Sequence, residues 1–216
     1  IASSGTSVRV TPRSAGTISV GYQVNDKLGD PSRVVQGTIT VTVTGKPDAP
    51  TNVQAEAVGT NAARVTFSAP ASNGSQITGY RLYDATGTKV ADCSSTVCVV
   101  SGLTVGRSYT YTVTAVNAIG ESAHSASSSV SISGAPSQPA KPTVTAGNTT
   151  IDVSWTAPAE NGSPITGYTV TASTANGPAA SCSTTGGDTS CTISGLRNGE
   201  NYTVTVVARN ARGDSP

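Results

Sequence analysis

The chain repeats itself, and this constrains its fold more than any single residue does. Residues from Arg64 to Ser122 are read again from Asp152 to Ser215. Val65-Thr66-Phe67-Ser68-Ala69-Pro70 answers Val153-Ser154-Trp155-Thr156-Ala157-Pro158, and Asn73-Gly74-Ser75-Gln76-Ile77-Thr78-Gly79-Tyr80 answers Asn161-Gly162-Ser163-Pro164-Ile165-Thr166-Gly167-Tyr168. Further on, Ser101-Gly102-Leu103 with Tyr109 answers Ser194-Gly195-Leu196 with Tyr202. Ala115-Val116-Asn117-Ala118-Ile119-Gly120-Glu121-Ser122 answers Ala208-Arg209-Asn210-Ala211-Arg212-Gly213-Asp214-Ser215. Self-similarity over so long a stretch means one architecture built twice.

What is repeated is a β pattern. Apolar residues alternate with Thr and Ser at Val8–Val10, Ile18–Val20–Tyr22–Val24, Ile39–Val41–Val43, Val65–Phe67, Tyr109–Tyr111–Val113–Ala115 and Tyr202–Val204–Val206–Ala208. No stretch carries the 3.6-residue period of a helix. β-Branched residues alternating with small polar ones, broken by Gly and Asn-Gly turns, predict half-buried antiparallel strands in an all-β chain. Short strands at this spacing predict sandwiches.

Both copies resemble fibronectin type III modules. The markers are an aromatic on the second strand (Phe67, Trp155), a Gly-Tyr opening the third (Gly79-Tyr80, Gly167-Tyr168), and a Gly-Leu followed by Tyr. An Ala-x-Asn-x-x-Gly-x-Ser turn completes the set. The resemblance implies tandem Ig-like antiparallel β-sandwiches in an elongated rod, with module 1 at residues 46–134 and module 2 at 135–216. It also implies a tyrosine corner, the hydroxyl bonding backbone upstream. Residues 1–45 resemble instead the last hairpin of bacterial Ig-like or cadherin-like surface repeats. Two strands are marginal alone, so the rest of that domain is expected upstream of Ile1. The seventh strand, at roughly Ala123–Ser133 in the first copy, has no counterpart before Pro216, and more residues are expected to follow. The joints Gly45–Pro50 and Gly134–Pro142 are proline-rich, which predicts stiff, extended linkers.

Cys93 and Cys98 lie in the first copy, Cys182 and Cys191 in the second. Each pair falls between the third and fifth strands and is expected to close its own hairpin as a local disulfide. A zinc site is the alternative, but it would need both pairs to meet on one ion with no His nearby. Charged residues are 12% of the chain, about half of the usual ~25%. The formal net charge is +1, which leaves no electrostatic footprint for nucleic acid or an anionic membrane. Apolar runs are a few residues long, against the ~20 of a membrane helix. Low charge, abundant Ser and Thr, and paired cysteines point to an extracellular or cell-surface location.

Arg212-Gly213-Asp214 resembles the integrin-binding tripeptide of fibronectin, and lies on the corresponding turn. By that resemblance Arg212 would meet an acidic pocket and Asp214 would reach an integrin-bound metal ion. The first copy carries Ile119-Gly120-Glu121 there, so the tripeptide is two substitutions from a generic turn. Asn73, Asn148, Asn161 and Asn201 open Asn-x-Ser/Thr sequons, and a bacterial reading leaves them unmodified. His124 has no Ser or Cys partner in the pattern and is expected at a surface strand position. Asp26 and Asp30 are too few to hold calcium and read as turn residues. With one His, no acid–base pair converges, and the sequence calls for no catalysis, cofactor or metal.

The function expected is therefore a non-catalytic adhesion segment of a bacterial surface protein. Its Arg-over-Lys and Ala/Gly/Val/Thr bias resembles actinobacterial, including bifidobacterial, repeats. Partners would be host or other extracellular proteins met through loops or the inter-module joint, and cytokine-like ligands by analogy alone. The alternatives are passive spacer modules in a secreted polysaccharide-degrading enzyme, with any polysaccharide binding in neighbouring domains, and integrin-directed adhesion.

Overall fold

The computed structural model describes residues 14–24 and 35–216. Val8–Val10, Asp26 and Asp30 lie outside them. Among the described residues every regular element is a strand. Ahead of the repeats, β1 (Gly16–Val24) and β2 (Val35–Val43) form an antiparallel hairpin in continuous register from Gly16 opposite Val43 to Val24 opposite Val35.

The first repeat contains β3 (Thr51–Val58), β4 (Ala62–Ser68), β5 (Ile77–Asp84), β6 (Lys89–Cys93), β7 (Val97–Ser101), β8 (Ser108–Asn117), β9 (Gly120–Glu121) and β10 (Ser128–Ser131). They make two sheets, β3-β4-β7 and β10-β8-β5-β6, with β9 beside β8. The second repeat contains β11 (Thr143–Ala146), β12 (Thr150–Ser154), β13 (Ile165–Thr174), β14 (Gly177–Thr185), β15 (Ser190–Ser194), β16 (Thr203–Asn210) and β17 (Gly213–Asp214). Its sheets are β11-β12-β15 and β14-β13-β16-β17, the topology of the first copy without a counterpart of β10 among the described residues.

Strand alternation places the cores. Tyr168, Val170 and Ala172 are the inward positions of β13, and Val206 and Ala208 those of β16. They pack with Val153, Trp155, Ile193 and Leu196 into one buried cluster. The Trp155 and Tyr168 rings lie 5.1 Å apart in a tilted pair. In the first copy Val65, Phe67, Tyr80, Leu82, Tyr111, Val113 and Ala115 are buried, and Phe67 meets Tyr80 edge-on at 4.8 Å. Each fully buried large side chain contributes roughly 1.5–3 kcal/mol. The expected tyrosine corners are present. The Tyr109 hydroxyl accepts from Thr104 N–H at 2.8 Å, and the Tyr202 hydroxyl from Arg197 N–H at 3.0 Å.

By Cα proximity the chain divides into two compact units. One comprises Ile1–Ala55, Val65–Cys98 and Thr110–Ser128, the other Glu56–Arg64, Val99–Tyr109 and Ser129–Pro216. The division cuts through the first repeat, and each linker lies inside a unit.

Candidate functional site

The turn carrying Arg212-Gly213-Asp214 is organised by Asn210. This residue is 5% exposed, and its Oδ1 accepts from Arg212 N–H at 2.8 Å. Gly213 takes φ 134°, a region that favours glycine, and the chain turns back so that Asp214 pairs with Arg209 across β16 and β17. Arg209 Nε donates to Asp214 Oδ1 at 2.6 Å and Nη2 to Oδ2 at 3.2 Å. That bond draws the Asp214 carboxyl below its usual range and raises the Arg209 guanidinium. Arg212 Nε donates to Ser133 Oγ at 2.8 Å. The tripeptide is therefore tied at both ends: Arg212 to the segment leading into the repeat, Asp214 to Arg209 on the neighbouring strand β16.

The outer face of β5 and β8 carries a cluster that the sequence pattern did not single out. Arg81 stands opposite Thr114 and Tyr83 opposite Thr112. The Glu121 carboxylate accepts from Tyr83 Oη and Thr114 Oγ1 on one oxygen and from Arg81 Nη1 on the other. Burial acts to raise the Glu121 pKa, but the hydrogen bonds from Thr114, Tyr83 and Arg81 outweigh it and hold the group low. The bond to Glu121, with burial second, pushes the Tyr83 phenol up. His124 is exposed, in the segment between β9 and β10 and not in a strand as expected. It has partners: its ring meets Tyr83 edge-on at 4.7 Å, and Nδ1 lies 2.9 Å from Thr112 Oγ1. The signal was available in the outward positions. Where the first copy has Arg81, Tyr83, Thr112 and Thr114, the second has Thr169, Thr171, Thr205 and Val207 in the same register.

The cysteines pair as Cys93–Cys98 and Cys182–Cys191. The hairpin expectation needs correction. Cys93 lies on β6 and Cys98 on β7, strands of different sheets, and Cys182 on β14 and Cys191 on β15 are likewise divided. Each bridge therefore pins one sheet to the other across the connection where the chain changes layer. Among the described residues no three His, Cys, Asp or Glu side chains are placed to hold a metal ion.

The family model described as Fibronectin type III domain matches residues 48–131 and 137–216. The chain belongs to this family. Chitinase A1 of Niallia circulans is 35% identical over 188 residues, covering 82% of this chain and 26% of the chitinase. Exoglucanase B of Cellulomonas fimi is 33% identical over 152 residues, covering 66% of this chain and 14% of the exoglucanase. The chain thus spans a minor part of either relative. The FN1–FN3 domains of chicken CNTN1 align with a TM-score of 0.46 at 20% identity, over 80% of this chain and 64% of that one. In each fibronectin module here, the Trp155 or Phe67 core, the tyrosine corner and the sheet-bridging disulfide are one scaffold.

Proposed function

We propose that these fibronectin modules are a spacer in a secreted bacterial polysaccharide-degrading protein, setting the distance between flanking domains without binding or catalysis of their own. One observation carries the reading. The same segment is similar to a minor part of a chitinase and to a minor part of an exoglucanase. A part common to enzymes named for different reactions is not what sets either reaction. The two disulfides fit an oxidising, extracellular setting.

The spacer reading is preferred here to adhesion through Arg212-Gly213-Asp214. A metal-seeking carboxylate has to be presented free, whereas both Asp214 oxygens accept from Arg209, and Arg212 is turned to Ser133. The test is a replacement in the parent protein. Residues 46–216 are exchanged for two fibronectin modules of unrelated surface, and in a second variant they are deleted. A spacer predicts that hydrolysis of insoluble polysaccharide survives exchange and falls on deletion. Equal loss in both variants would show that the surface of these modules is itself required.

A further inference from the structure

Gly45 and Gly134 end the segments that lead into the two modules, and both are received in the same way. Gly45 N–H donates to Asn73 O at 2.8 Å, and Gly134 N–H to Asn161 O at 2.9 Å. Three residues on, Asp48 N–H donates to Ala71 O at 3.1 Å, and Ser137 N–H to Ala159 O at 2.9 Å. The side chains of the same asparagines complete the grip: Asn73 Nδ2 donates to Lys46 O at 2.9 Å and Asn161 Nδ2 to Ala135 O at 2.8 Å.

At the centre stands one buried asparagine in each case. Asn117 Nδ2 reaches the carbonyls of Gly45 at 2.7 Å, Ser72 at 3.1 Å and Ser75 at 3.2 Å. Asn210 Nδ2 reaches those of Gly134 at 2.9 Å, Glu160 at 3.1 Å and Ser163 at 3.0 Å. A single amide thus ties the incoming segment to the turn that precedes the third strand. Everything it reads on that segment is main chain.

Shape adds a second condition. The turns Asn73-Gly74 and Asn161-Gly162 have positive φ throughout, 53° and 81° in the first and 53° and 78° in the second. A Cβ on Gly74 would stand 3.2 Å from Val43 O, and one on Gly162 3.0 Å from Ile132 O. A carbonyl at the end of β2, or one residue past β10, therefore lies directly on the turn. A Cβ on Gly134 would meet Val105 Cγ2 at 2.9 Å, and one on Gly45 would meet Ala15 Cβ at 3.3 Å.

The two predecessors are of different kinds. Gly134 follows β10 of a fibronectin module, whereas Gly45 follows β2 of a hairpin outside the family match. Each set of contacts lies wholly inside one compact unit. We propose that the pole built on Asn117 or Asn210 is a socket for the outgoing strand of a preceding β domain of any fold. It holds that strand end through the carbonyl of its closing glycine. This is a property of the joint and does not depend on the spacer function.

The test is residue-resolved amide hydrogen exchange on the full chain. Asn210→Asp keeps the acceptor facing Arg212 N–H but sets a carboxylate against three carbonyls. The Gly134 and Ser137 amides are expected to exchange at least about tenfold faster, as for a local opening, while those of β13 and β16 keep their protection. Gly45 and Asp48 should not change. Asn117→Asp should do the converse, releasing Gly45 and Asp48 alone. Should Asn210→Asp unfold the whole module, the emission of Trp155 will report it. Gly134→Val then takes its place, because its side chain would collide with Val105 of the preceding domain and shift the incoming segment, leaving the second module's own residues intact. Release of Ser137 by that variant supports the socket. Continued protection of Ser137 in a variant that stays folded, or unprotected Gly134 and Ser137 amides in the wild type, overturns it.

Discussion

Replacing Cys182 and Cys191 together by Ala probes the second module where its two layers are joined. The closed loop has a sequence separation of 9. On the chain-entropy relation a loop of that size removes roughly 9 cal/mol/K from the unfolded ensemble, or about 2.7 kcal/mol at 25 °C. The full amount is at stake because β14 and β15 share no hydrogen-bonded ladder. A bridge across a hairpin already in register would close a loop that the ladder closes anyway, and its removal would cost little. With a urea m-value of about 1–1.5 kcal/mol/M for a module this small, the midpoint should fall by roughly 2 M. The assay is selective because Trp155 is the only tryptophan in the chain and lies in the second module's core, so its emission follows that module. A midpoint shift below about 0.5 M would refute the reasoning. So would an equal shift of the Trp155 transition when Cys93 and Cys98 are replaced instead, since those residues close a different module.

Further predictions concern single groups. Tyr202→Phe leaves Arg197 N–H without its acceptor and should cost about 1 kcal/mol in the Trp155 transition, with Tyr109→Phe silent in that signal. Glu121 titrates below its usual value in the folded state. It therefore stabilises the first module above the unfolded pKa and loses that contribution as pH falls through the folded one. Glu121→Gln should flatten this part of the acid limb of an unfolding curve followed by circular dichroism, and an unchanged slope would count against the cluster. Surfaces coated with the chain should hold integrin-bearing cells no better than blank surfaces. Attachment that disappears in Asp214→Glu would restore the adhesion reading.

Much of the fold was legible because its causes are local. The inward positions Tyr168, Val170 and Ala172 follow from strand alternation alone, and the repeat told that Phe67 and Trp155 stand at one structural place. What could not be read was set by how distant strands meet. The spacing of Cys93 and Cys98 is that of a hairpin, and only the sheet order shows that the chain changes layer between them. His124 looked solitary because Tyr83 and Thr112 come to it from β5 and β8, although the outward Arg81 and Tyr83, against Thr169 and Thr171 in the second copy, were a usable signal. Asn117 and Asn210 were visible as parts of a turn motif. Their work on the Gly45 and Gly134 carbonyls is invisible until three separate segments converge.

The central claim is that these modules hold a distance and carry no ligand. Its most direct test is sedimentation of the purified chain with insoluble chitin and cellulose, alongside capture on immobilised extracellular proteins, with the fold checked by Trp155 emission. The spacer account predicts that the bound fraction stays at the level of an inert control at every concentration. Saturable binding to any of these surfaces by the folded chain would contradict it.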